Sequence, residues 1–99
     1  MKQFSSFKTI GGNGHNKLVF PVTFDIKIII ESIHPIEQSN AYLRAIFSQL
    51  RIPNSNWRTM HSAEGKYVSF TIQVDLKDND LMQKLYSELK TIPGIKLAL

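Results

Sequence analysis

Phe20-Pro21-Val22-Thr23-Phe24-Asp25-Ile26-Lys27-Ile28-Ile29-Ile30 and Val68-Ser69-Phe70-Thr71-Ile72-Gln73-Val74 are the two stretches that decide the fold. In the first, Phe20, Val22, Phe24, Ile26, Ile28 and Ile30 alternate with Thr23, Asp25, Lys27 and Ile29. In the second, Val68, Phe70, Ile72 and Val74 alternate with Ser69, Thr71 and Gln73. A period of two belongs to a strand with one buried and one polar face, so both runs read as members of a one-sided sheet. Each is followed by a segment with helical spacing.

Working outward, the first strand is expected over residues 19–31 and ends at His34-Pro35. Ser39 or Asn40 then caps a helix through Arg51, with Leu43, Ile46, Phe47 and Leu50 as its apolar stripe. Pro53-Asn54-Ser55-Asn56 reads as a turn and residues 57–62 as a short strand. Ala63-Glu64-Gly65-Lys66 forms a hairpin loop into a third strand over residues 66–75. Asp78 or Asn79 opens a second helix whose stripe is Leu81, Met82, Leu85, Tyr86 and Leu89. Pro93-Gly94 ends it, and Ile95, Leu97 and Leu99 are expected to dock one apolar face of a last strand. The order β-α-β-β-α-β with right-handed crossovers gives an α+β, ferredoxin-like sandwich. Its sheet is four-stranded and antiparallel, with two helices on one face and the first and third strands in the centre.

The chain has 99 residues, no cysteine and a net charge of +4. That length suits one domain, which buries roughly 60–70% of the surface its unfolded chain exposes. Disulfide and thiol chemistry are excluded. Lys2, Lys8 and Lys17 fall in the first seventeen residues, where there is no acid, so residues 18–99 carry nine bases against eight acids. Residues 1–17 therefore read as a flexible basic leader before a domain at 18–99. The leader lacks the apolar core of a signal peptide, and no apolar run approaches a membrane span. The expected location is the cytoplasm, with no membrane contact.

Catalytic and metal-binding patterns are missing from the sequence. His15, His34 and His61 are scattered, with no helical ligand spacing, and Asp78 and Asp80 suit a helix start better than a metal. Gly11-Gly12-Asn13-Gly14 lacks the lysine and hydroxyl of a phosphate loop. An RNA-recognition sheet stacks bases on outward aromatics. Here Tyr67 is the one outward aromatic, while Ser69 takes the next outward place and Phe70 points inward. The expectation is a protein that is not an enzyme and holds neither cofactor nor metal.

Several segments together resemble the YbeD-like family of small bacterial proteins, over about residues 18–99. They are Phe20-Pro21 with Phe24-Asp25-Ile26-Lys27, then Ser62-Ala63-Glu64-Gly65-Lys66-Tyr67-Val68-Ser69, Leu85-Tyr86-Ser87-Glu88-Leu89 and Ile95-Lys96-Leu97-Ala98-Leu99. The resemblance implies a ferredoxin-like fold without established catalytic activity. It also implies a topology like that of ACT domains, which bind small effectors and regulate enzymes. The ACT ligand loop uses glycine, whereas residues 31–38 here contain none.

The functional expectation is a non-catalytic binding module, regulatory or adaptor in role, that acts through protein–protein contact. Its partner-binding candidates are Lys27, Ile29 and Tyr67 on the polar sheet face. Trp57 and Arg58, beside His61, are the candidates on the edge strand, where Trp57 also suits the margin of the core. The partner is expected to be another protein, with a homodimer as the other assembly. An ACT-like effector module and weak nucleic-acid binding through the basic leader are the alternatives.

Overall fold

The structure is a computed structural model and describes residues 19–98. The expected leader at 1–17 and the last apolar position, Leu99, lie outside the described residues. The elements are β1 (Val22–Glu31), α1 (Ile36–Leu50), β2 (Asn54–His61), β3 (Tyr67–Leu76), α2 (Asn79–Leu89) and β4 (Ile95–Ala98). The sheet order is β2-β3-β1-β4, all neighbours antiparallel, with the two long alternating runs in the centre. This is the ferredoxin-like βαββαβ sandwich.

The pairing of β1 with β3 runs unbroken from Val22 opposite Leu76 to Glu31 opposite Tyr67. It sets Ile26 against Ile72, Ile28 against Phe70 and Ile30 against Val68 on the helix side, where all six are buried. Leu43, Ile46 and Phe47 of α1 and Met82, Leu85, Tyr86 and Leu89 of α2 complete the core. Each fully buried aliphatic or aromatic side chain contributes about 1.5–3 kcal/mol.

Beyond shifts of up to three residues at strand ends, the structure departs from the sequence reading at three places. First, α1 begins at Ile36 rather than after Ser39: Pro35 is its N-cap, and Ser39 is buried inside the first turn, with its N–H donating to the Pro35 carbonyl. A proline at the boundary fixes φ without needing to donate, so the helix starts without a side-chain cap. Second, the expected turn at 53–56 is the start of β2. Pro53 accepts from the Asp75 N–H at 3.1 Å, and the register then slips between Ser55 and Arg58 around Asn56, whose φ is +56°. The turn-favouring residues there form a bulge instead.

Third, the strict alternation expected of β4 is broken. Its register with β1 shifts so that Ile95 opposes Ile30 while Ala98 opposes Ile28, and Ala98 is fully buried. The extra residue is a bulge, and it brings Ala98 into the core.

The corner where β1 meets β4 depends on Gly94. Its φ is +80°, its carbonyl accepts from the Glu31 N–H at 2.8 Å, and an added Cβ would lie 2.9 Å from His34 Cδ2. Gly65, at φ +76°, has open space at the same point. Alanine at either position carries the left-handed cost of about 1–2 kcal/mol. Gly94→Ala is therefore expected to destabilise more than Gly65→Ala in urea denaturation, and His34→Ala to narrow the gap. Equal costs in the His34 background would show that the ring is not the obstacle.

Candidate functional site

The helices cover one side of the sheet and leave the other open. Alternation places Thr23, Asp25, Lys27 and Ile29 of β1 beside Tyr67, Ser69, Thr71 and Gln73 of β3 on that side. β2 adds Arg58 opposite Thr71 and Met60 opposite Ser69. Two rows therefore cross three strands, Lys27–Thr71–Arg58 and Ile29–Ser69–Met60. The first is cationic at both ends, and the second is apolar at both ends.

Among the described residues, each acid of this face has a side-chain partner, while Lys27 has none in an ion pair. Thr23 Oγ1 donates to Asp75 Oδ1 at 2.6 Å, and Arg58 Nη2 lies 3.1 Å from Asp25 Oδ2. Both side chains of that ion pair are 50% exposed, so it is worth about 0–1 kcal/mol and orients Arg58 more than it stabilises the fold. Lys27 has no ion-pair partner among the described residues. It stands at the rim of a shallow depression of about 270 Å³ whose other walls include Ile29, Met60, Tyr67 and Ser69.

Tyr67 also lines a second recess, of about 360 Å³, with Glu31, Ser32, Ile33, Gly65 and Lys66. There the β1–α1 loop is tied to the β2–β3 hairpin. The Ser32 hydroxyl donates to the Gly65 carbonyl, and the Ser32 N–H donates to the Lys66 carbonyl at 2.9 Å. Gly65 comes from the hairpin, so glycine reaches this recess although the loop itself has none.

Of the residues singled out from sequence, Lys27, Ile29, Tyr67 and Arg58 share the open face. Trp57 does not join them. Its ring meets Phe47 of α1 edge-on at 5.8 Å between centroids, and the Arg44 guanidinium sits 4.2 Å from its centre. Its indole N–H donates to Asn54 Oδ1 at 2.9 Å. The bulge turns the indole toward the helix layer, where it closes the core margin. Met60, 71% exposed, is the residue the sequence reading missed, and its alternation with Arg58 in β2 was the available signal. Tyr67 and Ser69 face outward and Phe70 is 1% exposed in the core, so the face has no paired stacking aromatics. Among the described residues, no group of three His, Asp or Glu side chains is placed to share a metal ion, and no helix is long and apolar enough to cross a membrane.

Residues 15–99 match the family described as "Protein of unknown function (DUF493)". The chain belongs to the DUF493 family. This is the YbeD-like family that the sequence resembles, and no curated protein matches the chain. The DUF493 chain is similar to the solution structure of protein HP0495 from H. pylori at a TM-score of 0.66 and 11% identity. That likeness covers 93% of this chain and 96% of the other. It is also similar to the ACT domain from GTP pyrophosphokinase of Chlorobium tepidum, at a TM-score of 0.61 and 14% identity over 78% of this chain and 94% of that one. The C-terminal domain of the MgtC protein from Mycobacterium tuberculosis gives 0.61 and 16%, over 78% and 82%. At these identities the likeness is one of fold.

The placement of the two aromatics separates structure from surface. Trp57→Ala is expected to cost about 2–3 kcal/mol, since it removes a ring pair and a cation–π contact from a half-buried position. Tyr67→Ala should cost about 1 kcal/mol or less. Chemical denaturation of both variants checks this, and a reversed order would contradict the assignment of the two faces.

Proposed function

We propose that this DUF493 chain is a non-catalytic, cytoplasmic binding module that acts in a regulatory or adaptor role by presenting its open sheet face to another protein. The observation that carries this reading is Lys27, without an ion-pair partner among the described residues and set beside Ile29, Met60 and Tyr67. An ammonium without an ion-pair partner is available to a partner carboxylate. Tyrosine, arginine and methionine are residue types that favour interface centres. Fold neighbours that include an ACT domain of a GTP pyrophosphokinase support a small regulatory binding domain at the coarser level.

A small-effector reading draws separate support from the recess at Ser32, Gly65 and Tyr67, where polar and apolar groups of two loops line one concavity. It predicts a rise in melting temperature with a specific metabolite, as binding to the folded state alone requires.

The protein-partner reading is tested by native mass spectrometry on the full chain gently isolated from its host. A bound second polypeptide is expected. Lys27→Glu and Tyr67→Ala should each reduce it by about tenfold or more, while Trp57→Phe should leave it in place. Undiminished binding by both face variants, or a bare chain, would overturn the reading.

A further inference from the structure

β2 forms one edge of the sheet, and no other strand of the described residues pairs with its outer side. The Ser62 N–H donates to the Tyr67 carbonyl at 2.9 Å, and the Met60 carbonyl accepts from the Ser69 hydroxyl at 3.4 Å. Main-chain groups of an antiparallel strand alternate in direction. If residues 60 and 62 point toward β3, then Thr59 and His61 turn their N–H and C=O groups outward. From Arg58 to His61 the register with β3 is unbroken, so these outward groups form a regular row.

Edge strands are usually guarded by brevity, by proline or lysine, or by a bulge. The opposite edge has such guards: β4 is four residues long, pairs irregularly and carries Lys96. β2 is eight residues long, and its bulge lies at its start, ahead of Arg58. It contains neither proline nor lysine, and every residue except Trp57 is exposed.

The charge of this edge selects the occupant. β2 has no acidic residue. Arg58 projects on the open face, with Nη2 on Asp25 and Nε donating to the Asn56 carbonyl, and Arg44 lies over Trp57 on the helix side, so an added strand meets a guanidinium on either face. We infer that β2 accepts an extended acidic segment of another protein as a fifth, antiparallel strand. The side chain facing Arg58 is a carboxylate and the one facing Met60 is apolar, so the apolar residue precedes the acid by two positions. The apolar side chain lengthens the Ile29–Ser69–Met60 row. Main-chain bonds to Thr59 and His61 give the strand its hold, and the pair at Arg58 and Met60 gives its preference. This goes beyond the face reading and stands or falls without Lys27 and Tyr67.

The probe is a short fluorescein-labelled peptide of alternating threonine and valine in which a leucine precedes a glutamate by two positions. Titration into the full chain is expected to raise its anisotropy, and a lysine in place of the glutamate should weaken binding by about tenfold. In the unmodified protein, amide exchange at Thr59 and His61 should slow by about tenfold at saturation while Met60 changes little. Thr59→Pro removes one outward N–H and should abolish the effect; His61→Pro is the second variant should the first unfold. Equal binding of both peptides, or unchanged exchange at Thr59 and His61 with millimolar peptide, would overturn the proposal. Concentration-dependent slowing at these amides without peptide would also overturn it, in favour of a second copy of the chain.

Discussion

Everything in this structure depends on the unbroken antiparallel register of β1 against β3. Ten residues pair with ten, and the pleat sends alternate side chains to opposite sides. On one side this assembles Ile26, Ile28, Ile30, Val68, Phe70, Ile72 and Val74 into a surface that only helices can cover. On the other it assembles a mostly polar surface that nothing in the described residues covers. A slip of one residue would exchange the two, exposing the isoleucines and burying Asp25 and Lys27. Stability and surface chemistry are therefore set by the same register.

The two central strands were legible because their period is strict, and α2 because Asp78 accepts from the Leu81 N–H where a cap was expected. The peripheral elements were harder for a physical reason: each has a defect in its period. β2 bulges at Asn56 and Trp57, and β4 skips a residue at its junction with Ile29 and Ile30. A bulge costs one residue of register and leaves no sure mark in composition, so the burial of Ala98 did not follow from the alternation of β4. The candidate site was legible to the same extent. Lys27, Ile29 and Tyr67 follow from the central alternation, and Met60 follows from its alternation with Arg58, whereas only the bulge decides between the surface and core-margin readings of Trp57.

The same defects explain how the two edges differ. At β4 the irregularity falls within a short strand and spoils it as a template. At β2 it falls at the start and leaves a regular run beyond. The open face and the β2 edge meet at Arg58 and Met60, so a partner strand on the edge would extend the face rather than compete with it. Among the described residues, hydrogen bonds and ion pairs hold Thr23, Asp25, Arg58 and Asp75, whereas Lys27 and Met60 stand open on the same face.

Hydrogen–deuterium exchange on the complex isolated from the host, compared with the free chain, tests the central claim that the uncovered side of the β1–β3 sheet is the binding surface. The account predicts added protection across residues 23–29, 58–61 and 67–73, with α1 and α2 unchanged. Added protection confined to the two helices, with the sheet exchanging as in the free chain, would contradict it.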